Sequence, residues 1–227
     1  MIEKPKVEVC FTPNMFPLYA EDFEVVVVID VLRATSAICT AFHYGVDKII
    51  PVSTLDQAIE YKDKGFHVAA ERKGKIVSGF EFGNSPLAYT NDKLKDQTLV
   101  LTTTNGTKAI NMAKDIEHLL IGSFLNLDAI SNYLIELNKS VLILGSGWEN
   151  KFCLEDSICA GAISEKLLKT NKFESNNDST IAAKYLFLSA KSNYFGYLKA
   201  SSHRKRLKKL NLNEDIKYCL TPNQTDV

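Results

Sequence analysis

The residues of this chain that are best suited to chemistry stand directly after predicted strands. Asp30 ends a β-branched run predicted as a buried strand over residues 25–30, and Arg33, Thr35 and Ser36 follow in the first turn of the next predicted helix. Free N–H groups, the positive end of the helix dipole and a guanidinium all favour an anion at such a turn. A simple helix cap is the alternative. Because capping does not need Arg33, we interpret this cluster as an anion site.

A second polar cluster, with the sequence TTTNGT, lies between a predicted strand and a predicted helix at residues 102–107. Asn105 and Gly106 permit a tight left-handed turn that points successive N–H groups outward. The crowded hydroxyls make the pattern typical of a phosphate cradle, although the lysine of a Walker A loop is missing. A hydroxyl-rich helix cap is the alternative, but two anion-binding helix starts at one sheet edge favour phosphate. The residues assigned to phosphate binding are Thr103, Thr104, Gly106 and Thr107.

A third group of candidate residues is acidic. Glu71 follows a predicted strand, and Asp156 opens a predicted helix, where acidic residues are also common partners of the helix dipole. Because the carboxyl ends of parallel strands meet at one edge of a sheet, we expect Asp30, Glu71 and Asp156 to converge there. Such a group would repel a phosphate unless a cation lay between them, and hard oxygen ligands select Mg²⁺ over zinc. The four histidines show no metal-binding spacing, and we interpret them as surface or packing residues.

Alternating strand and helix patterns position these clusters. Strands are predicted over residues 6–11, 25–30, 48–52, 66–70, 98–103, 118–122, 140–144 and, at a sheet edge, 215–220. Helices are predicted over residues 33–44, 56–64, 106–114, 127–137, 155–169 and 181–190, with one or two more in residues 194–210. Residues 71–96 lack periodicity, which is typical of a functional loop. Strands separated by helices favour an α/β fold, with a largely parallel sheet between two layers of helices, in one domain over residues 1–227.

Composition and charge limit the classes of partner. The chain has 227 residues, and 27 basic side chains balance 27 acidic ones. No overall field draws such a molecule to nucleic acid or to a membrane surface, so we expect neither as a partner. The basic run over residues 203–209 is interpreted as a solvated helix face or as local positive potential near an anionic substrate.

Membrane insertion and export are not expected. The longest apolar run, residues 25–29, is far too short to cross a bilayer, and the N-terminal residues lack the apolar stretch of a signal peptide. Five cysteines without close paired spacing indicate reduced thiols, which favours a cytoplasmic protein. Because dimers are the commonest assemblies of soluble proteins, a homodimer is the assembly to test.

Taken together, the clusters resemble the 2-phosphosulfolactate phosphatase family, the ComB-like proteins of coenzyme M biosynthesis. The resemblance covers residues 25–161, with its motifs in the expected order. They are IDVLRAT at residues 29–35, Glu71-Arg72 with Gly74, GFEFGNSP at residues 79–86, TTTNGT at residues 102–107, and Leu154-Glu155-Asp156 with Gly161. Ala70 stands where the family often has glycine, and Glu81 stands where it often has aspartate.

The resemblance implies a three-layer α/β/α fold with a mostly parallel, mixed sheet. It also implies a Mg²⁺-dependent phosphatase that acts on phosphate monoesters of small 2-hydroxy acids, as in the hydrolysis of 2-phosphosulfolactate to sulfolactate and phosphate. By the same resemblance, residues 79–86 line or close the substrate pocket, and we assign Asn84 and Ser85 to substrate binding.

The corresponding mechanism is metal-assisted hydrolysis of the ester. Asp30, Arg33 and Asn105 are the predicted catalytic residues, and Asp30 with Glu71 or Asp156 is predicted to hold Mg²⁺. Either an activated water attacks the phosphorus directly, or Asp30 forms a phospho-enzyme, and both routes stay open.

The substrate and the class of protein leave further alternatives. A carboxylate or sulfonate on the substrate needs another cation, for which Arg72 and Lys108 are candidates. One rival is a non-catalytic anion- or nucleotide-binding regulatory module that uses the same helix starts. Another is a phosphotransferase or lyase acting on a similar phosphorylated acid. Metal-dependent phosphate release separates the phosphatase from the first rival, and labelled water separates it from the second.

Overall fold

Eight strands and nine α-helices make up the part of the chain that this computed structural model describes, residues 3–227. The strands are β1 (Val7–Cys10), β2 (Val25–Ile29), β3 (Lys48–Pro51), β4 (His67–Arg72), β5 (Lys75–Ile76), β6 (Thr98–Thr102), β7 (His118–Gly122) and β8 (Val141–Gly145). The helices are α1 (Ala34–His43), α2 (Leu55–Asp63), α3 (Gly106–Met112), α4 (Leu127–Leu137), α5 (Leu154–Lys169), α6 (Asp178–Ala190), α7 (Tyr194–Tyr197), α8 (Ser202–Lys209) and α9 (Asn213–Cys219). Short 3₁₀ turns lie at Pro13–Leu18, Pro86–Tyr89, Asp92–Leu94 and Leu198–Ala200.

The first sheet contains the strand that leads to Asp30. Its order is β1-β8-β2-β7, and all of its strands are parallel. β2 consists of four valines and one isoleucine and is buried along its whole length, as expected for a β-branched run in a covered sheet. In the register, Ile29 lies opposite both Gly122 and Gly145. The carboxyl ends of three neighbouring strands are therefore level, and the segments after them start side by side.

The second sheet carries Glu71 and leads into the threonine-rich turn. Its order is β3-β6-β4-β5; the first three strands are parallel, and β5 pairs with the end of β4 in the antiparallel direction. Ala70 lies opposite Thr102, so Glu71 and the turn after β6 leave the sheet at the same level. Lys73 and Gly74 form the two-residue loop between β4 and β5, and both have positive φ, as primed hairpin turns require.

Helices cover both faces of the first sheet. One set of alternate β2 residues packs into an apolar core with α4, α5 and α6, and the other set packs into a core with α1 and α3. The second core also contains Leu99 and Leu101 of β6, so α1 and α3 lie between the two sheets. α2 covers the outer face of the second sheet around Val100. The predicted α/β class, with mostly parallel strands between helices, is confirmed.

The strands are divided between two sheets, whereas their pattern led us to expect one. The pattern of a strand shows that it is covered, but it does not show which strand lies beside it. Pairing depends on contacts between residues far apart in the sequence. The segment 71–96, predicted as an irregular loop, likewise contains β5 and two 3₁₀ turns.

The strand predicted over residues 215–220 is wrong, because this segment belongs to α9. Alternating apolar residues suggested a strand, but the buried apolar positions are Ile216, Cys219 and Leu220, which share one helical face. Glu214 and Asp215 in the first turn favour a helix start, since acidic side chains complement the dipole there.

All five cysteines are buried free thiols, as their spacing predicted. Burial raises the pKa of Cys10 to about 11 and that of Cys39 and Cys219 to about 12, so these thiols keep their protons at neutral pH. No helix within residues 3–227 combines the length and apolarity needed to cross a membrane.

Candidate active site

A cleft of about 200 Å³ lies where the segments after β2, β4, β6 and β8 meet. These are carboxyl ends of parallel strands, where open α/β sheets bind their ligands. α8 contributes the rest of the wall. The lining residues are Asp30, Leu32, Arg33, Glu71, Lys73, Gly74, Asn84, Thr104, Asn105, Trp148, Glu149, His203, Arg206, Leu207 and Leu210.

Asp30 is the buried acid that β2 delivers to this cleft. The Asp30 N–H donates to Thr35 Oγ1 at 3.0 Å, and the Thr35 N–H donates to the Asp30 carbonyl at 3.0 Å, so the start of α1 fixes its main chain. α3 begins directly beside it, because a Cβ on Gly106 would stand 2.8 Å from Asp30 Oδ2 and 2.5 Å from Ala34 Cβ. Glycine at this position therefore permits the close approach of α3 to the carboxylate.

Buried carboxylates dominate the electrostatics of the cleft. Burial raises the pKa of Asp30 to about 6; the charge of His203 opposes the rise, and the charges of Glu71 and Glu155 add to it. Burial also raises the pKa of Asp156 well above its usual range, and the charges of Asp30 and Glu155 add to this effect. Because like charges repel strongly away from water, a cation bound among them would relieve the repulsion.

Glu71 is held by donors from three directions. The Gly74 N–H donates to Oε1 at 2.5 Å, the Thr104 N–H donates to Oε2 at 3.3 Å, and Thr104 Oγ1 donates to Oε1 at 3.3 Å. Asn84 Nδ2 donates to Oε2 at 3.4 Å, which brings the loop at residues 79–86 to the cleft. Asn84 Oδ1 is buried and has no hydrogen-bond partner among the described residues. This amide oxygen is therefore an unused acceptor at the cleft wall.

Asp156 lies beside the cleft and is not part of its wall. Its Oδ1 accepts the Val31 N–H at 2.9 Å, and its Oδ2 accepts the Gly147 N–H at 3.2 Å. Asp156 thus ties the loop after β2 to the loop after β8. Its role as a metal ligand stays a prediction.

Arg33 lines the cleft, but protein partners hold most of its guanidinium. Nη1 donates to Asp215 Oδ2 at 2.5 Å, and Nη2 donates to the Gly74 carbonyl at 2.7 Å. Both members of the ion pair are buried. Arg33 Nε is buried without a partner among the described residues, and the Leu32–Arg33 peptide bond is cis. Arg33 therefore joins β2 to the β4–β5 hairpin and to α9, and Nε is its one nitrogen without a partner among the described residues.

The threonine-rich turn before α3 divides into a structural and an accessible part. The Thr103 N–H donates to Thr107 Oγ1, and the Thr107 N–H donates to Thr103 Oγ1, both at 3.1 Å. Thr103 Oγ1 thus satisfies a first-turn N–H of α3, a role close to the capping alternative, although the N-cap residue Asn105 makes no side-chain capping bond. Thr104 and Asn105 line the cleft, and Asn105 Oδ1 accepts the Glu149 N–H at 3.4 Å. Thr104 and Asn105 are therefore the part of the turn that can meet a ligand.

Several residues predicted to bind substrate lie outside the cleft wall. They are Thr35, Ser36, Arg72, Ser85, Thr103, Gly106, Thr107 and Lys108. Ser36 is fully buried, and its Oγ donates to the Val31 carbonyl at 2.8 Å. Arg72 Nη2 donates to Thr102 Oγ1 at 3.0 Å, and Lys108 Nζ bonds Asn150 at 2.7 Å. Direct contact with substrate stays a prediction for these residues.

Trp148, His203 and Arg206 line the cleft, although none of them was among the predicted site residues. His203 Nδ1 lies 2.6 Å from Glu155 Oε1, its ring centroid is 5.4 Å from that of Trp148, and the Arg206 guanidinium lies 3.9 Å from the Trp148 ring centroid. We interpreted the histidines as surface or packing residues because their spacing showed no metal-binding pattern. That spacing could not reveal the contact of His203 with Glu155, which is 48 residues away in sequence. The basic run did carry a signal, since Arg206 brings positive charge to the cleft.

The site combines hard oxygen donors with positive charge. Carboxylates and an amide oxygen suit a divalent cation, whereas Arg33, Lys73 and Arg206 suit phosphate and other anions. At the carboxyl ends of parallel strands, this combination defines an α/β protein with a site for a small anionic substrate.

Comparison with known proteins identifies the family. The model of the 2-phosphosulpholactate phosphatase family matches residues 10–227. A probable 2-phosphosulfolactate phosphatase of Thermotoga maritima is 41% identical over 207 residues, which cover 91% of this chain and 88% of the relative. Proteins of the same name from Caldanaerobacter subterraneus subsp. tengcongensis (40% over 206 residues, 89% and 85% covered) and Nostoc punctiforme (37% over 225 residues, 95% and 90% covered) are also similar. The chain belongs to the 2-phosphosulfolactate phosphatase family.

The resemblance drawn from the five motifs is confirmed, and it extends beyond residue 161 to the C-terminal helices. The family and the relatives are phosphatases by name, so the predicted enzyme class, a phosphoric monoester hydrolase, is confirmed as well. Each named relative is matched over more than four-fifths of its own length. The family model, which matches residues 10–227, includes every segment that lines the cleft.

Proposed function

We propose that this protein is a cytoplasmic, Mg²⁺-dependent phosphatase that hydrolyses the phosphate monoester of a small 2-hydroxy acid. The names of its relatives favour 2-phosphosulfolactate, which gives sulfolactate and phosphate, as a member of this substrate class. The observation that carries the proposal is that Asp30, Glu71 and Asn84 share one cleft with Arg33 and Arg206. Acidic and basic groups in one cleft suit a divalent cation and a multiply charged anion together.

The residues of the cleft fit a magnesium ion. Mg²⁺ prefers oxygen ligands, and the carboxylates of Asp30 and Glu71 and the amide oxygen of Asn84 are of that kind. Asn84 Oδ1 is buried without a partner among the described residues, and burial with neighbouring acidic charge raises the pKa of Asp30. A cation would satisfy the first group and stabilise the ionised form of the second. When bound, Mg²⁺ would supply charge stabilisation to the phosphoryl oxygens.

Groups of the chain itself orient the phosphate ester. Thr104 offers a hydroxyl and Asn105 an amide at the cleft wall, and phosphoryl transfer depends mainly on such positioning and on electrostatic stabilisation. Arg206, which stacks on Trp148, brings a cation that suits the second acidic group of the substrate. Asp30 either attacks the phosphorus or orients the attacking water.

The replacement Asp30→Asn tests the proposal, because it keeps the size of the side chain and removes its charge. We expect the rate of phosphate release from a phosphorylated 2-hydroxy acid to fall by about 100-fold or more. The matched control is Asp63→Asn, an exposed position in α2, which should leave the rate unchanged. Circular dichroism checks that both variants are folded. A rate for Asp30→Asn within twofold of the unmodified protein would remove Asp30 from its proposed role.

Metal dependence and reaction type need separate measurements. Removal of divalent ions with a chelator should abolish phosphate release, and added Mg²⁺ should restore it. Hydrolysis in ¹⁸O-labelled water should place one labelled oxygen in the released phosphate and none in the alcohol, because both proposed routes break the bond between phosphorus and the ester oxygen. A phosphotransferase would instead pass the phosphoryl group to another acceptor, and a lyase would give an unsaturated product. Undiminished turnover in chelator contradicts the magnesium proposal. Binding of phosphorylated acids without any phosphate release would favour the non-catalytic module.

A further inference from the structure

Beyond the proposed function, three side chains of different chemistry meet beside the cleft. Cys153 directly precedes α5, Glu155 lies in the first turn of that helix, and His203 lies in the first turn of α8. Cys153 Sγ is 2.9 Å from Glu155 Oε1, His203 Nδ1 is 2.6 Å from the same oxygen, and Sγ and Nδ1 are 3.8 Å apart. All three residues are buried. We propose that Cys153, Glu155 and His203 form a binding site for a thiophilic divalent transition-metal ion of the Zn²⁺ type.

The ligand types fit such an ion. Thiolate, imidazole and carboxylate are the protein ligands of zinc, with bonds of about 2.3 Å to sulfur and about 2.0–2.2 Å to nitrogen and oxygen. Ligand atoms at these distances around a tetrahedral ion lie about 3.3–3.6 Å apart. The separation of Cys153 Sγ and His203 Nδ1, 3.8 Å, is already close to that spacing. The two contacts of Glu155 Oε1 are shorter, as expected where a hydrogen bond joins the atoms instead of an ion.

A separate observation concerns the second oxygen of the Glu155 carboxylate. Glu155 is 1% exposed, and its second oxygen, Oε2, has no hydrogen-bond partner among the described residues. A buried carboxylate oxygen left without a partner is unfavourable. A metal ion held by this carboxylate offers a partner to either oxygen.

The charge of the surroundings favours a cation as well. Asp30 and Asp156 are two further buried acidic residues near the cluster. Arg33, the buried arginine nearby, is paired with Asp215. His203 is thus the one cationic partner within a cluster that also lies near two further buried acids, and a divalent ion would stabilise the thiolate and the carboxylate together.

The proposed ion differs in chemistry and in ligands from the magnesium ion of the proposed function. Mg²⁺ selects the oxygen donors of the cleft wall, whereas a thiolate and an imidazole select Zn²⁺ and related ions. Three protein ligands leave a fourth coordination position, as in catalytic zinc sites. Of the three proposed ligands, His203 lines the cleft, so the cluster adjoins the candidate active site.

Cobalt is the probe for this site, because a Co²⁺–thiolate bond has its own charge-transfer absorption in the near ultraviolet. The full-length protein, treated with chelator and kept reduced with a phosphine, is titrated with Co²⁺ alone. We expect one equivalent to produce the charge-transfer band, Zn²⁺ to abolish it at one equivalent, and a large excess of Mg²⁺ to leave it unchanged. The measurement needs no substrate, so its outcome is independent of whether phosphate esters are hydrolysed.

Variants identify the ligands. Cys153→Ser should lose the band, and His203→Gln should weaken Zn²⁺ binding by about 100-fold or more while its thiol is retained. The matched control is Cys10→Ser, a buried thiol outside the cluster whose Sγ donates to the Thr12 carbonyl at 3.2 Å, a bond that serine can keep. Unfolding midpoints establish that each variant is folded. Absence of the band in the unmodified protein, or its persistence in Cys153→Ser, would overturn the proposal. The three side chains would then be joined by hydrogen bonds alone, without a metal ion.

Discussion

Asp30 shows, at the scale of the single residue, that a group suited to chemistry can destabilise the fold that holds it. Its carboxyl group is buried among Glu71 and Glu155, and burial is the largest cause of its raised pKa. Taking a carboxylate out of water disfavours the ionised form. Proteins tolerate such groups at functional sites, and the resulting pKa shift is measurable as a dependence of stability on pH.

We predict that Asp30→Asn stabilises the chelator-treated protein above pH 6 and has little effect at low pH. The pKa rises from 3.8 to about 6 on folding, so the folded protein retains a proton in this window that the unfolded chain has lost. Stability therefore falls as pH rises through the window, by about 3 kcal/mol in total. Asparagine carries no such penalty. Urea unfolding of both proteins between pH 4.5 and 8 checks this; a constant difference across that range contradicts it.

At Gly106, the absence of a Cβ atom determines how closely α3 approaches Asp30. Its missing Cβ leaves room for Asp30 Oδ2 and Ala34 Cβ, which would lie 2.8 Å and 2.5 Å from it. We predict that Gly106→Ala separates α3 from α1, lowers the free energy of unfolding by about 1–3 kcal/mol and reduces phosphate release, because Asp30 is displaced. Gly65→Ala is the control: it has φ +86 and open space, so it should destabilise the fold and leave the rate unchanged. Equal effects of the two variants on the rate would exclude this role of Gly106.

At the scale of elements, one buried ion pair connects segments that the sequence separates widely. Arg33 follows β2, Asp215 opens α9, and Arg33 Nη2 also donates to the carbonyl of Gly74 in the β4–β5 hairpin. Both charged side chains are almost fully buried. Such a pair adds little net stability over an apolar replacement, but removal of one partner leaves a buried charge unpaired.

We predict that Asp215→Asn lowers the free energy of unfolding by about 3–5 kcal/mol, because Arg33 remains buried without its counter-ion. The double replacement Arg33→Met with Asp215→Leu should recover most of that loss, since no charge is then buried. Urea unfolding at pH 7 measures both effects. If the single variant loses less than about 0.5 kcal/mol, the pair does not hold α9 against the hairpin in the way described.

At the scale of the whole molecule, the distribution of charge affects the binding of an anionic substrate more than the net charge does. The chain has no net charge, yet Arg33, Lys73 and Arg206 share one cleft wall. Low-dielectric walls focus the field of such a group onto a bound ligand. Lys73 and Arg206 therefore place local positive charge beside the carboxylates of the cleft, on a molecule that is neutral overall.

We predict that Arg206→Gln raises the KM of an anionic phosphate ester by about tenfold, the equivalent of about 1.4 kcal/mol, with a small effect on kcat. Arg206 stacks on Trp148 and so holds its charge at the cleft wall. Lys208→Gln on the same helix changes the net charge equally, but its side chain is exposed and lies outside the cleft wall. Steady-state kinetics of the two variants at one ionic strength compare local with overall charge; equal KM values would contradict the prediction.

The accuracy of the sequence-based description depended on how local each feature is. β2 was predictable because five consecutive β-branched residues need burial on both faces, and Asp30 follows them directly. The segment 215–220 was mistaken for a strand, because apolar alternation there is compatible with a helical face whose burial depends on distant packing. The division into two sheets was not predictable for the same reason, since strand pairing joins residues far apart in the sequence.

By itself, the sequence determined the α/β class, the family and the placement of Asp30, Glu71, Thr104 and Asn105 at the ends of strands, because these follow from local patterns and motif order. Only the tertiary structure decided which of these side chains reach the cleft and which distant groups join them. His203 meets Glu155 across 48 residues, and Arg33 meets Asp215 across 182. Such contacts are set by how whole elements pack on one another, which no local pattern of hydrophobic and polar residues encodes.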